Sequence, residues 1–122
     1  MLTTIKQSIF PIAIGFARIV LLSKLDYQEH PSEYGIHWNF YTTIALINIM
    51  LVFIRVPELA MPLGFGLMLS YEFLMNAYGW DTFIFHAPRV DFISANREGL
   101  ASLVGYFSLE LIGIGIGNFI YR

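Results

Sequence analysis

Cysteine is absent from the 122 residues. That excludes a disulfide framework and any metal site built on thiolates. Charge is scarce: Asp, Glu, Lys and Arg make up 13% of the chain, about half the usual share of a soluble domain. A net charge of −2 offers no excess of positive charge for a nucleic-acid backbone. Also missing are a P-loop, a dinucleotide fingerprint, a GxSxG elbow and an HExxH pair, so no standard nucleotide or hydrolase motif is present. None of the asparagines at 39, 48, 76, 96 and 118 lies in a glycosylation pattern.

What is present is apolar. Hydrophobic residues reach 57% and mean hydropathy is +0.63, which points to lipid as the solvent of much of the chain. The length suits a single unit over residues 1–122. Four segments approach the ~20 residues that a spanning helix needs: Ile9–Leu25, Ile36–Ile54, Leu59–Tyr78 and Gly99–Ile120. The first contains Pro11 and Arg18 and lacks a small-residue cleavage site, so it reads as a span rather than a signal peptide. The expected fold is all-α: a polytopic membrane protein of about four helices, since backbone groups in lipid must be paired within the helix. A soluble helical bundle is the alternative. Four crossings would bring two polar loops, 26–35 and 79–98, to one face. Lys6, Arg55 and Arg122 on the terminal side balance Lys24, Arg89 and Arg97 on the loop side, so positive charge does not orient the chain.

The ionisable residues concentrate in two windows. The first, DYQEHPSEYGIHWNF over 26–40, holds Asp26, His30, Glu33 and His37 at spacings of four, three and four. Pro31 and Gly35 interrupt a continuous helix there, so a loop is expected, with a helix starting near Pro31 or Gly35. His37, Trp38 and Asn39 would then sit in the first turns of the second span. A histidine beside a carboxylate suits acid–base chemistry on a hydroxyl. Two histidines with several carboxylates could instead hold a divalent ion, although no standard metal spacing is matched. The bland reading is a hydrated loop with Tyr34 and Trp38 as interfacial anchors. In the second window, APRVDFISANREG over 87–99, Ser94 or Asn96 can cap the fourth helix, with Glu98 in its first turn. Arg89 and Arg97 oppose the helix dipole unless they bind an anion, such as a lipid or nucleotide phosphate. Within the spans, Arg18 and Glu72 lie at similar depth and are expected to pair, while Glu110 sits deeper. The Gly113–Gly117 run contains a GxxxG and predicts close helix packing.

Together the two windows resemble the inositol acyltransferases of GPI-anchor assembly, the PIG-W family. The family's DYQxHxxEYGxHWNFF pattern matches at Asp26, Tyr27, Gln28, His30, Glu33, Tyr34, Gly35, His37, Trp38, Asn39 and Phe40, with Tyr41 in place of the last Phe. Its APRxxxxSANxEG pattern matches at Ala87, Pro88, Arg89, Ser94, Ala95, Asn96, Glu98 and Gly99. Family members are several times longer, so the chain corresponds to a central piece of one. The resemblance implies transfer of a fatty acyl group, typically palmitoyl, from acyl-CoA to the inositol 2-hydroxyl of glucosaminyl-phosphatidylinositol. It implies a multi-pass protein of the endoplasmic reticulum membrane, with acyl-CoA as co-substrate and no metal or other cofactor. On this resemblance His37 or His30 is the base, oriented by Asp26 or Glu33, with Asp26 the competing base. Arg89 and Arg97 would hold phosphate. Trp38, Tyr34 and Asn39 would shape the pocket, and Asn39 or Asn96 would donate to a developing oxyanion. A non-catalytic module that binds GPI lipids, or a small transporter-like bundle lined by Arg18, Glu72 and Glu110, are the other classes left open.

Overall fold

A computed structural model of the chain describes residues 2–22, 37–54 and 56–121. Among the described residues the structure is all-helical, with no strand. Helix α1 spans Leu2–Leu22 and runs through Pro11 without interruption. Helix α2, Phe40–Leu51, starts sharply because Asn39 is extended (φ −149°) and its side chain accepts from the Thr42 N–H. Such a cap satisfies one of the orphan donors of a first helical turn. Pro57 opens the 3₁₀ turn Pro57–Leu59, which leads into α3, Ala60–Ala77. Gly79, with φ +63°, turns the chain into α4, Trp80–His86; a side chain there would be strained. The single turn α5, Phe92–Ala95, precedes the long α6, Arg97–Ile120.

These elements pack as two pairs, α1 on α2 and α3 on α6, with α2 leaning on α6. The core where they meet is Ala60, Phe107 and Leu111, covered by Ile47, Leu51 and Ile114 among others. Phe40 and Tyr106 add an edge-to-face ring contact at 5.8 Å. Helices α3 and α6 approach closely because small residues face each other. Ala60 and Gly64, four apart on α3, are buried against the Ser108–Gly115 stretch of α6. In lipid, close contact of this kind does the work that hydrophobic burial does in water. Within the glycine run, Gly115 makes the contact, against Met61, whereas Gly113 and Gly117 face open space.

Helix α6 is, among the described residues, the one helix long and apolar enough to cross a membrane. It coincides with the fourth expected span. The second expected span, Ile36–Ile54, is corrected to twelve residues by the Asn39 cap and the turn after Leu51; at 1.5 Å per residue it reaches only ~18 Å. His37, Trp38 and Asn39 therefore precede this helix instead of opening it. The third, α3, is diluted by Ser70, Glu72 and Asn76. Large apolar side chains nevertheless point outward from several helices, Phe10 at 72%, Phe73 at 63% and Phe119 at 81% exposure. Surfaces of this kind call for lipid or a protein partner. The expected Arg18–Glu72 pair does not form among the described residues, because α1 packs on α2 while α3 packs on α6. The Glu72 carboxylate accepts instead from Asn76 Nδ2, one turn on, at 2.7 Å.

Candidate functional site

The site is built on the segment between α3 and α6, and its anchor is Arg97. This first residue of α6 is only 5% exposed. Its Nε donates to the Ile84 carbonyl and its Nη1 to the Ala87 carbonyl. The guanidinium also lies over the Phe83 ring, 5.9 Å from its centroid. Carbonyls at the end of α4 have no intrahelical partner, and a buried cation is the natural group to satisfy them. Next to it Glu98, also buried, takes both Arg89 nitrogens, Nη1 to Oε2 at 3.0 Å and Nη2 to Oε1. This is the two-pronged geometry that favours arginine over lysine. Arg97 Nε stands 3.6 Å from the same carboxylate. The dipole argument that singled out the two arginines is thus met by a buried acid and by helix-end carbonyls.

Asp91 and Ser94 close α5 as a reciprocal pair. Ser94 N donates to Asp91 Oδ1 at 2.7 Å, and Asp91 N donates to Ser94 Oγ at 2.9 Å. The Ser94 N–H, reinforced by the Ser94 hydroxyl, holds the Asp91 carboxyl below the usual carboxylate range. Ser94 therefore serves α5 and not α6. Asn96 occupies the N-cap position of α6 but makes no side-chain cap bond.

Asn96 instead ties the two sequence windows together. It is fully buried; its Oδ1 accepts from the His37 backbone N–H at 2.8 Å, and its Nδ2 donates to the Phe92 carbonyl at 2.9 Å. Two residues past His37, Asn39 does the same for α1: its Nδ2 donates to the Gly15 carbonyl at 3.1 Å while its Oδ1 caps α2. Trp38 lies between them, buried, with Nε1 donating to Thr43 Oγ1 at 2.9 Å. The His37 side chain is left exposed, with no side-chain hydrogen bond among the described residues, at the mouth of an apolar cleft between α1 and α2. The structure thus brings His37, Trp38, Asn39, Arg89, Asn96 and Arg97 into one region. Asp26, His30, Glu33 and Tyr34, with the rest of residues 23–36, lie outside the described residues. Sequence reasoning missed Gly15, whose carbonyl and missing Cβ make room for Asn39; nothing in the apolar run around it signals this. It also missed Asp91, although Asp-x-x-Ser before Ala95 is a readable cap.

The GWT1 family model matches residues 1–122. The chain belongs to the GWT1 family. A phosphatidylinositol-glycan biosynthesis class W protein of Dictyostelium discoideum is 41% identical over 110 residues, which is 89% of this chain and 22% of that protein. A GPI-anchored wall transfer protein 1 of Yarrowia lipolytica is 38% identical over 119 residues, 93% of this chain and 25% of that protein. The corresponding protein of Candida albicans is 36% identical over 130 residues, 98% of this chain and 26% of its own length. The chain thus spans about a quarter of the length of the curated relatives it matches. The resemblance drawn from the two motifs and this family agree.

Proposed function

We propose that the chain carries the acceptor-activating part of a membrane-bound O-acyltransferase of GPI-anchor assembly. The acyl group moves from acyl-CoA to the inositol 2-hydroxyl of glucosaminyl-phosphatidylinositol. The hydroxyl oxygen forms a C–O bond to the thioester carbonyl as the C–S bond breaks. The hydroxyl proton passes to a base and then to the departing CoA thiolate. His37 is that base, with Asp26, His30 and Glu33 supplying the remaining acid–base groups. Arg89, whose two terminal nitrogens are held by Glu98, and Arg97 hold the platform beneath it. On this reading the protein is multi-pass, in the endoplasmic reticulum membrane, with α6 as one span and the apolar stretches of α1 and α2 embedded beside it.

One observation carries the reading: the 2.8 Å bond from His37 N–H to Asn96 Oδ1 joins the two motifs, and the imidazole, without a side-chain hydrogen bond among the described residues, lines an apolar cleft. The names of the relatives, which concern GPI biosynthesis and GPI-anchored proteins, support it. The test is acylation of glucosaminyl-phosphatidylinositol in membranes lacking the native enzyme, with wild type and His37→Ala compared. Product from wild type and a loss of about a hundredfold in the variant is expected for a general base. Undiminished product in the variant removes His37 from the chemistry. Lipid binding without any product from wild type makes the chain a non-catalytic module.

A further inference from the structure

Between α3 and α6 the chain carries a run of large apolar side chains that the rest of the fold leaves open. Trp80, Phe83 and Phe85 on α4, and Val90, Phe92 and Ile93 around α5, are each between 48% and 80% exposed. Helix α4 meets the rest of the fold through Ile84, its one buried residue. The run is nevertheless fixed in place. Arg97 holds the Ile84 and Ala87 carbonyls, and Asn96 holds the Phe92 carbonyl. Its charges are few and mostly engaged. Asp91 is tied to Ser94, and both terminal nitrogens of Arg89 go to Glu98. Asp81 and His86 are the other ionisable side chains, and no lysine lies between 79 and 96. Connectivity sets the depth. Helix α5 ends at Ala95, and α6, long and apolar enough to cross a membrane, begins two residues later at Arg97. A span that starts there leaves the preceding residues at the membrane–water boundary, where Trp is enriched.

We propose that residues 80–93 form an aromatic ledge seated in the bilayer interface, its partner the boundary between headgroups and acyl chains of zwitterionic lipid. The ledge inserts by burying apolar area. Attraction to anionic lipid plays no part, because a polybasic cluster is what such attraction needs. The one basic side chain within the ledge besides His86 is Arg89, and Glu98 already neutralises it. Six large apolar side chains this close in sequence exceed the scattered exposure of a water-facing surface. The hydrogen bonds to Arg97 and Asn96 make the ledge a preformed surface whose depth is passed directly to the start of α6. The proposal rests on the membrane location in the reading above and on none of its chemistry.

The two tryptophans make the test direct. Trp38 is buried and Trp80 lies on the ledge, so wild-type fluorescence minus that of Trp80→Phe is the ledge's own signal. The protein is reconstituted in phosphatidylcholine vesicles that contain lipid spin-labelled either just below the glycerol or at the chain end. Iodide, present on both sides of the membrane, is the aqueous quencher. Trp80 should be quenched roughly twofold more by the shallow label than by the deep one, and weakly by iodide. Stronger quenching by the deep label, or iodide quenching equal to that of free tryptophan, overturns the proposal. Protection from all three quenchers also overturns it, because the occupant is then protein. Replacing part of the phosphatidylcholine by phosphatidylserine should leave the pattern unchanged at low and high salt; a rise that high salt abolishes overturns insertion by apolar contact. Because the chain has no cysteine, Val90→Cys carrying a nitroxide gives a second depth, read from its accessibility to oxygen and to a nickel chelate. A depth matching that of Trp80 is expected, and a label in bulk water overturns the ledge beyond α4. Protein that stays outside the vesicles refutes the membrane location and the ledge with it. Protein in the vesicles with Trp80 in water refutes the ledge alone.

Discussion

A methyl group added at Gly115 should loosen the α3–α6 pair, while the same group two residues away should not. A Cβ at Gly115 would lie 2.4 Å from Met61 Cβ, 2.8 Å from Met61 N and 3.0 Å from Met61 Cα. Two of those three atoms are backbone, so no rotamer change relieves the contact. The helices would have to part by most of an ångström. That would lift Ala60 and Leu111, both at or below 2% exposure, out of contact. Overpacking of this kind costs about 1–3 kcal/mol. At Gly113 an added Cβ meets nothing within 4 Å. Both substitutions gain the same helix propensity of about 1 kcal/mol, so their difference isolates the clash at about 1–3 kcal/mol. The assay is thermal unfolding in detergent, read by intrinsic fluorescence and by size-exclusion recovery after heating. Gly64→Ala is the check from the other helix, since its Cβ would lie 2.8 Å from the Ser108 carbonyl oxygen. A Gly115→Ala protein as stable as Gly113→Ala would refute the assignment of Gly115 as the contact glycine.

Arg97→Lys keeps the charge but cannot span the Ile84 and Ala87 carbonyls together, and should destabilise by about 2–3 kcal/mol; a melting curve unchanged from wild type would remove Arg97 as the anchor. Asn96→Ala leaves the His37 N–H and Phe92 carbonyl without their partner and should cost about 1–3 kcal/mol. In Asn96→Asp the acceptor for His37 remains but a carboxylate faces the Phe92 carbonyl, so amide exchange at His37 should stay slower than in the alanine variant. Asp91, whose carboxyl is held low by Ser94, stabilises α5 at pH values above its unfolded pKa of about 3.9. That contribution is lost as pH falls through the lower folded value. Ser94 amide protection, corrected for the intrinsic exchange rate, should therefore drop in acid for wild type and stay flat in Asp91→Asn.

How far these features could be read beforehand depended on how local their cause is. The run from Gly99 to Ile120 is mostly apolar, with Glu110 as its one charge, and became α6, because length and composition suffice for a helix of that kind. The second span was overextended because its boundary is set by one side chain. Asn39 Oδ1 on the Thr42 N–H starts the helix at Phe40, and hydropathy across 36–54 does not register a cap. The small-residue signal pointed to the right helix but the wrong glycines. Which of 113, 115 and 117 faces α3 follows from helix rotation, and the run of alternating glycines carries no phase. The Arg18–Glu72 pairing failed because depth in a membrane was used where lateral neighbourhood decides, and helix pairing is a tertiary property. The two motifs were readable as neighbours by topology, but the Asn96–His37 bond that joins them spans 59 residues of chain.

The charges of the site then follow a single logic. In a poorly hydrated region an isolated ion is costly, so each is neutralised locally. Glu98 is matched by Arg89 and approached by Arg97, and Arg97 is matched again by helix-end carbonyls. The joints that must hold backbone to backbone use amides, since Asn39 and Asn96 each offer a donor and an acceptor without adding charge. A carboxylate in either place would lack the donor, and an apolar residue would leave a buried N–H and a carbonyl unsatisfied. With those positions neutral or paired, the titratable side chain that meets the cleft among the described residues is His37, on a backbone clamped from both sides. In the proposed acyl transfer, an imidazole held through its main chain would serve as base without the platform having to rearrange. That is the electrostatic case for placing the chemistry there and for treating Asn96 as a residue that positions it.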